Sequence, residues 1–235
     1  MQKVFFIDVA KCSGCYNCQL ACKDEHCDNE WLPYAKKQPI TGQFWTKVTE
    51  HVEGSIPKVK IHYIPEICGH CENPACLSAC KSNAIYKRDD GLVIIDPIKC
   101  TGCKACESAC PYGSIYFNSE LNIAQKCTGC AHLIDEGKAP RCVSVCPTEA
   151  FIYEDEEKIK DKLEGAICLK PESGCAPKVY YKNIPGKFIA GLIYDVAEEE
   201  VIKNAKCILS SKSDFSISYE TTTDAFGDFG LRIYQ

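Results

Sequence analysis

An α+β fold is predicted for this 235-residue chain from three observations. Twenty cysteines are present, sixteen of them in four quartets; short hairpins recur between the quartets; and a glycine-punctuated run of strands follows residue 188. About one residue in twelve is Cys, a density suited to a disulfide scaffold or a metal-cluster protein. The 46% hydrophobic fraction includes those cysteines, so the purely apolar core is thin. Much of the cohesion must come from what the sulfurs bind.

The opening Met1-Gln2-Lys3-Val4-Phe5-Phe6-Ile7-Asp8 has neither a basic n-region leading into an apolar run nor a twin-arginine pair. A cytoplasmic location is therefore expected, with export only alongside a signal-bearing partner. No stretch approaches roughly 18 apolar residues, so no direct membrane insertion is expected. A formal charge of -5 provides no basic field for phosphate backbones and argues against nucleic-acid binding. In a reducing compartment disulfides lose ground to thiolates that hold metal.

Spacing narrows the chemistry. Cys12, Cys15, Cys18 and Cys22 form a C-x2-C-x2-C-x3-C run, and Cys100, Cys103, Cys106 and Cys110 repeat it before Pro111. Cys68, Cys71, Cys76 and Cys80 lengthen the middle gap to four residues; Cys127, Cys130, Cys142 and Cys146 lengthen it to eleven, before Pro147. Three cysteines two residues apart wrap a tight loop around one cubane, and the fourth ligates the neighbouring cluster, so such motifs come in pairs. Sixteen ligands at four per cubane predict four [4Fe-4S] clusters. A quartet like that at 127–146 could alone pass for a zinc ribbon, whereas the compact run at 12–22 has dicluster ferredoxin spacing. Cys27, Cys168, Cys175 and Cys207 lie outside the quartets and are expected to be free thiols dispensable for iron, with a Cys168–Cys175 disulfide as the alternative.

The first domain is expected over 1–153. After Cys80, Ala84-Ile85-Tyr86, a turn at 87–91 and Leu92-Val93-Ile94-Ile95 read as a hairpin leading into the next quartet. After Cys110 the pattern returns as Ser114-Ile115-Tyr116-Phe117 and Ile123-Ala124-Gln125; after Cys146 only one strand returns, at 150–153. Residues 23–67 read as an insertion with a strand over 58–64. Within it Asp24-Glu25-His26 reads as a solvated helix face. His70 and His132, inside cluster loops, read as hydrogen-bond partners of sulfur, and no histidine is assigned a catalytic role. Residues 154–187 read as a charged helix over 154–164, closed by Gly165, and a linker returning over the cluster domain. Strands dominate 188–235, a piece too short to enclose its own core, with Phe229, Leu231 and Ile233 on one apolar face.

These residues resemble the four-cluster iron–sulfur (beta) subunits that accompany molybdenum or tungsten bis-pterin enzymes of the dimethyl sulfoxide reductase superfamily. All four quartets carry the resemblance. Within the family the chain is most similar to transhydroxylase-type small subunits, on 7–12, Asp24-Glu25-His26 with Asn29-Glu30-Trp31, His70-Cys71-Glu72-Asn73, Cys110-Pro111-Tyr112-Gly113, 124–128 with Cys130-Ala131-His132-Leu133, Lys170-Pro171-Glu172 and 179–183. The resemblance implies two nested ferredoxin-like dicluster modules and a small C-terminal immunoglobulin-like β domain. In the nested arrangement Cys12, Cys15 and Cys18 share a cluster with Cys146, and Cys22 joins Cys127, Cys130 and Cys142. Likewise Cys68, Cys71 and Cys76 share one with Cys110, and Cys80 joins Cys100, Cys103 and Cys106. The resemblance further implies a non-catalytic electron-transfer subunit in anaerobic metabolism. Its partners would be a large catalytic molybdopterin subunit, which alone holds the molybdenum or tungsten bis-pterin cofactor, and a further electron donor or acceptor. Phenolic or polyhydroxylated aromatic substrates are implied for that partner. Transhydroxylase-type small subunits resemble three-cluster proteins with degenerate ligands, whereas this chain keeps all sixteen cysteines, which suits net electron transfer. The alternative is a largely structural subunit whose clusters do not turn over.

Anaerobically prepared protein is expected to contain about sixteen iron and sixteen acid-labile sulfide per chain, measured by colorimetric assay, from its sixteen quartet cysteines. Stoichiometric zinc without sulfide would contradict the cluster reading.

Overall fold

The computed structural model describes residues 2–212 and 216–233. Met1, where the export reading starts, and 234–235, the end of the predicted tail domain, lie outside the described residues. The chain divides into two compact units: Met1–Thr49 with Ile64–Ile184, and Glu50–Tyr63 with Pro185–Gln235.

In the first unit the organising element is the strand Lys3–Asp8. Its sequence, Val4-Phe5-Phe6-Ile7, is apolar without alternation, the pattern of a strand buried on both faces, and all four residues are buried. It pairs antiparallel with Phe151–Asp155, in the register Ile7↔Phe151 and Phe5↔Tyr153. On its other edge it pairs parallel with Val179–Lys182, Phe5 opposite Val179 and Ile7 opposite Tyr181. One face packs Val4 and Phe6 against Ile159, with Ile152, Leu163, Ala166 and Tyr180 around them. On the other, Phe5 meets the rings of Tyr153 and His70. The single strand that the sequence shows after Cys146 thus completes a ladder with the chain's own beginning. The predicted helix over 154–164 is shorter than expected: the strand runs to Asp155, a 3-10 turn covers Glu156–Ile159, and α-helix covers Lys160–Leu163.

Two hairpins follow the expected pattern. Ile85–Lys87 pairs with Val93–Ile95, and Ile115–Asn118 pairs with Ile123–Lys126. Their inward residues Ile85, Val93, Ile95, Ile115 and Ala124 form one core with Cys106, bordered by Cys76, Leu77, Cys80, Cys100 and Cys110. Helices are short except Asn17–His26, which carries Cys18 and Cys22 and packs against Arg141–Ser144, the helix of Cys142. The strands Thr46–Ser55 and Lys58–Ile67 form a hairpin within the 23–67 segment, and the first of them carries no sequence signal that we read as strand.

The second unit is all β. Phe188–Leu192 pairs antiparallel with Asp228–Arg232, Lys206–Ser210 with Ser218–Thr222, and Tyr194–Asp195 with Glu200–Val201. Gly191 and Gly230 have a packing reason: a Cβ on either would lie 2.8 Å from the ring of Phe229 or Phe188 on the facing strand. The Phe188–Leu192 strand is further held by Glu53, whose carboxylate accepts the Phe188 N–H, and by Ser55, which donates to the Ala190 carbonyl. No helix among the described residues is long and apolar enough to cross a membrane.

Ile7 is fully buried at the centre of the three-stranded sheet. Ile7→Ala is expected to cost about 2–5 kcal/mol and to lower the midpoint of anaerobic thermal unfolding by several degrees. An unchanged midpoint would contradict a central role for this strand.

Candidate metal centre

All twenty cysteines are free thiols. The structure brings cysteines of different quartets together within the first unit. Cys68, Cys71, Cys76 and Cys110 line one cavity, and Cys80, Cys100, Cys103 and Cys106 line another. Burial pushes Cys18 up to about 12 and also raises Cys12, and the thiolates of Cys15 and Cys146 act on both in the same direction. Cys146 is therefore a neighbour of the first quartet although it is 124 residues from Cys22. Cys127, raised to about 12 chiefly by burial, feels Cys22; Cys130 and Cys142, also raised by burial, feel Cys22 and Cys127. Strand pairing supplies the reason. Lys3–Asp8 leads into the first quartet and Phe151–Asp155 leads out of the fourth, so their ladder sets the two quartets side by side.

The loops between cysteines are shaped by left-handed residues. Tyr16 and Lys104, each following the second cysteine of its quartet, both have φ of 61°. Gly102 has φ +72° and a Cβ there would lie 2.4 Å from the Asn122 carbonyl; Gly129 has φ +64° and a Cβ there would meet the Leu92 side chain at 2.6 Å. Both sites need glycine for conformation and for space. Where the chain leaves the second and fourth quartets, one pattern recurs. Burial would raise Cys80, but hydrogen bonds from the Ser82 hydroxyl and the N–H groups of Ile85, Ala84 and Ser82 outweigh it and hold the thiol below its ordinary value. Cys146 is held down in the same way by the Thr148 hydroxyl and by the N–H groups of Ala150, Thr148 and Phe151, the Ala150 N–H at 3.2 Å. Donors at positions +2, +4 and +5 from the cysteine thus form a small anion-binding nest around each sulfur.

The donor set fits an iron–sulfur cluster. Four quartet sulfurs around each of two cavities, several aimed at by backbone N–H groups, suit an anionic thiolate-ligated cubane. Among the described residues no three His, Cys, Asp or Glu side chains converge closely enough to hold a single metal ion. The polar surroundings are also those of an anion. Lys126, only 2% exposed, donates to the carbonyls of Val93 and Cys127, the latter at 3.0 Å, and lies 3.4 Å from Cys68 Sγ. Burial would lower its pKa, but the thiolates of Cys68, Cys76 and Cys127 outweigh burial and raise it.

One expectation is corrected by the structure. His26 is 1% exposed and Glu25 is half-buried, so of Asp24-Glu25-His26 only Asp24 is a solvated residue. His26 packs on Trp45, and its Nε2 lies 3.9 Å from Cys130 Sγ. Burial and the nearby His132 lower its pKa to about 3, so the ring is neutral. Glu25 is held at 2.9 Å from His132 Nε2 and 3.1 Å from Arg141 Nε, the latter without hydrogen-bond alignment, while Trp31 stacks on His132 with ring centroids 4.1 Å apart. His70 Nδ1 accepts the Val93 N–H and His132 Nε2 meets Glu25, while the second ring nitrogen of each is buried without a protein partner. The histidine facing sulfur is His26. Cys168 and Cys175, expected to be free thiols, are free; Cys175 is buried and lines the Cys68 cavity as a fifth sulfur, and Cys168 donates to the Pro177 carbonyl.

Cysteine loops of this spacing around shared cavities define an iron–sulfur protein of the dicluster ferredoxin class, and a model of the 4Fe-4S dicluster domain matches residues 59–156. The chain is 40% identical to the pyrogallol hydroxytransferase small subunit of Pelobacter acidigallici, over 97% of this chain and 85% of that protein. It is 36% identical to a component of the anaerobic dimethyl sulfoxide reductase of Escherichia coli, over 71% of this chain and 80% of that protein. The arsenate respiratory reductase iron–sulfur subunit of a Shewanella species is 32% identical, over 74% of this chain and 93% of that protein. This chain is a member of this family, the iron–sulfur electron-transfer subunits of oxidoreductases, and belongs to it over nearly its whole length.

Thr148→Val removes one donor from the Cys146 nest and leaves the backbone donors in place. Hydrogen bonds to charged groups contribute about 1.5–3 kcal/mol, so this variant is expected to keep its iron while one cluster titrates tens of millivolts lower in an anaerobic redox titration. An unchanged titration would show that the hydroxyl does not act on a bound cluster.

Proposed function

We propose that this chain holds four [4Fe-4S] clusters in two nested pairs and passes electrons to or from a separate molybdenum or tungsten bis-pterin subunit. What supports the reading is the lining of two cavities by cysteines of both inner quartets, with Cys146 near the first quartet and Cys22 near the fourth. Three cysteines from one loop and one from its partner would hold each cluster: Cys12, Cys15, Cys18 with Cys146; Cys142, Cys130, Cys127 with Cys22; Cys68, Cys71, Cys76 with Cys110; and Cys100, Cys103, Cys106 with Cys80. When bound, each cluster supplies one-electron redox chemistry.

The chain's own residues would do the rest. Thiolates fix the row, hydrophobic residues such as Trp45, Ile95 and Ile115 keep water out, and the nests at Cys80 and Cys146 stabilise charge on sulfur. Adjacent groups share walls: Cys22, Cys68 and Cys127 fall in one buried cluster with Ala35 and Trp45. The row would run from the Cys12 group through the Cys22 group and the Cys68 group to the Cys80 group. Similarity to a pyrogallol hydroxytransferase small subunit supports a polyhydroxylated aromatic as the partner's substrate class and a larger catalytic chain as the partner.

Nesting is tested by Cys146→Ser, read by electron paramagnetic resonance at controlled potential. The expected result is a perturbed signal from the cluster of Cys12, Cys15 and Cys18. Perturbation confined to the cluster of Cys100, Cys103 and Cys106 would overturn the pairing. Electron transfer is tested by stopped-flow reduction of the copurified complex with its substrate or donor, where bleaching of cluster absorbance within turnover time is expected. Clusters that stay oxidised through turnover would mean a structural role.

A further inference from the structure

We propose that Lys126 sets the electrostatics of the two inner clusters, its ammonium standing between the Cys68 group and the Cys127 group and favouring the reduced form of both. The inference rests on the reading that these groups hold [4Fe-4S] clusters, and it adds a residue that the cysteine spacing does not assign.

Among the described residues Lys126 is the one buried lysine or arginine. A buried ammonium costs several kcal/mol unless it is paired with an anion. Lys126 has no carboxylate partner among the described ion pairs; its partners are two carbonyls and a sulfur, Cys68 Sγ at 3.4 Å. One of the carbonyls belongs to Cys127 and the other to Val93, whose side chain lines the Cys68 cavity. The lysine therefore bridges the last loop of one proposed pair and the first loop of the other.

The sign follows directly. Reducing a thiolate-ligated cluster adds one electron and one unit of negative charge, with no bond broken. A fixed cation beside it stabilises the more negative state and raises the potential, and in a water-excluded site that attraction is weakly screened. A purely structural role makes a different demand. The carbonyls of Val93 and Cys127 need only a hydrogen-bond donor, which an uncharged amide also supplies, whereas tuning needs the charge.

The test compares the anaerobically isolated full chain with Lys126→Gln, Lys126→Met and Lys126→Arg, each assayed for iron and sulfide and titrated potentiometrically with paramagnetic resonance detection. With iron and sulfide retained, the Gln and Met variants are expected to shift two of the cluster signals and leave the outer two in place. At the wild-type midpoint the reduced-to-oxidised ratio of those two should fall at least about tenfold, equivalent to roughly 59 mV for one electron. Lys126→Arg, which keeps the charge, should stay within about threefold of wild type. Full iron with unchanged titrations in Gln and Met overturns the proposal. So does iron loss in both, which would make the ammonium a holding group rather than a tuning one. Wild-type protein without iron and sulfide would instead overturn the cluster reading, before any variant is compared.

Discussion

The pairing of Lys3–Asp8 with Phe151–Asp155 is the constraint on which the arrangement of sulfurs depends. It joins residues nearly 150 positions apart, and it places the loop that follows one strand beside the loop that precedes the other. The strand can take this role because Val4, Phe5, Phe6 and Ile7 bury both faces, which only a central position allows. With the outer quartets fixed in this way, the inner two need only local contacts. Their hairpins, Ile85–Lys87 with Val93–Ile95 and Ile115–Asn118 with Ile123–Lys126, stand on one shared core.

Around the sulfurs the protein balances desolvation against polarity. Burial, reinforced by the neighbouring cysteines, pushes the thiols of Cys18, Cys71 and Cys127 up to about 12, so a metal-free site of this kind favours protonated thiols. Metal binding removes those protons and turns the folded cavity into an anion site, which links cluster binding to folding. The N–H nests at Cys80 and Cys146, the neutral ring of His26 near Cys130 and the ammonium of Lys126 all serve that anionic state. Each would be unfavourable or idle beside an apolar filling.

Much of the site is legible in the sequence because cysteine spacing encodes loop geometry directly. The two hairpins are legible for the same local reason, short apolar runs on either side of a polar turn. What escapes is non-local. The partner of the strand at 151–155 lies at the other end of the chain, and no periodicity within a window can name it. His26 reads as solvated because its neighbours Asp24 and Glu25 are charged; it is buried because the 23–67 segment folds Trp45 onto it. Nothing local in the sequence marks Lys126 as a lysine that ends between two sulfur groups. Cys175 carries no spacing signal, and only the return of the chain along Val179–Lys182 brings it to the Cys68 cavity.

The exchange of sulfurs between distant quartets is what would set the proposed clusters in a row. The most direct measurement is an iron anomalous difference map from anaerobically grown crystals of the cluster-loaded protein. The account predicts four iron clusters in a row, with Cys146 Sγ on the cluster of Cys12, Cys15 and Cys18 and Cys22 Sγ on that of Cys127, Cys130 and Cys142. Single metal ions held within one quartet, such as Cys127, Cys130, Cys142 and Cys146 together, would contradict it.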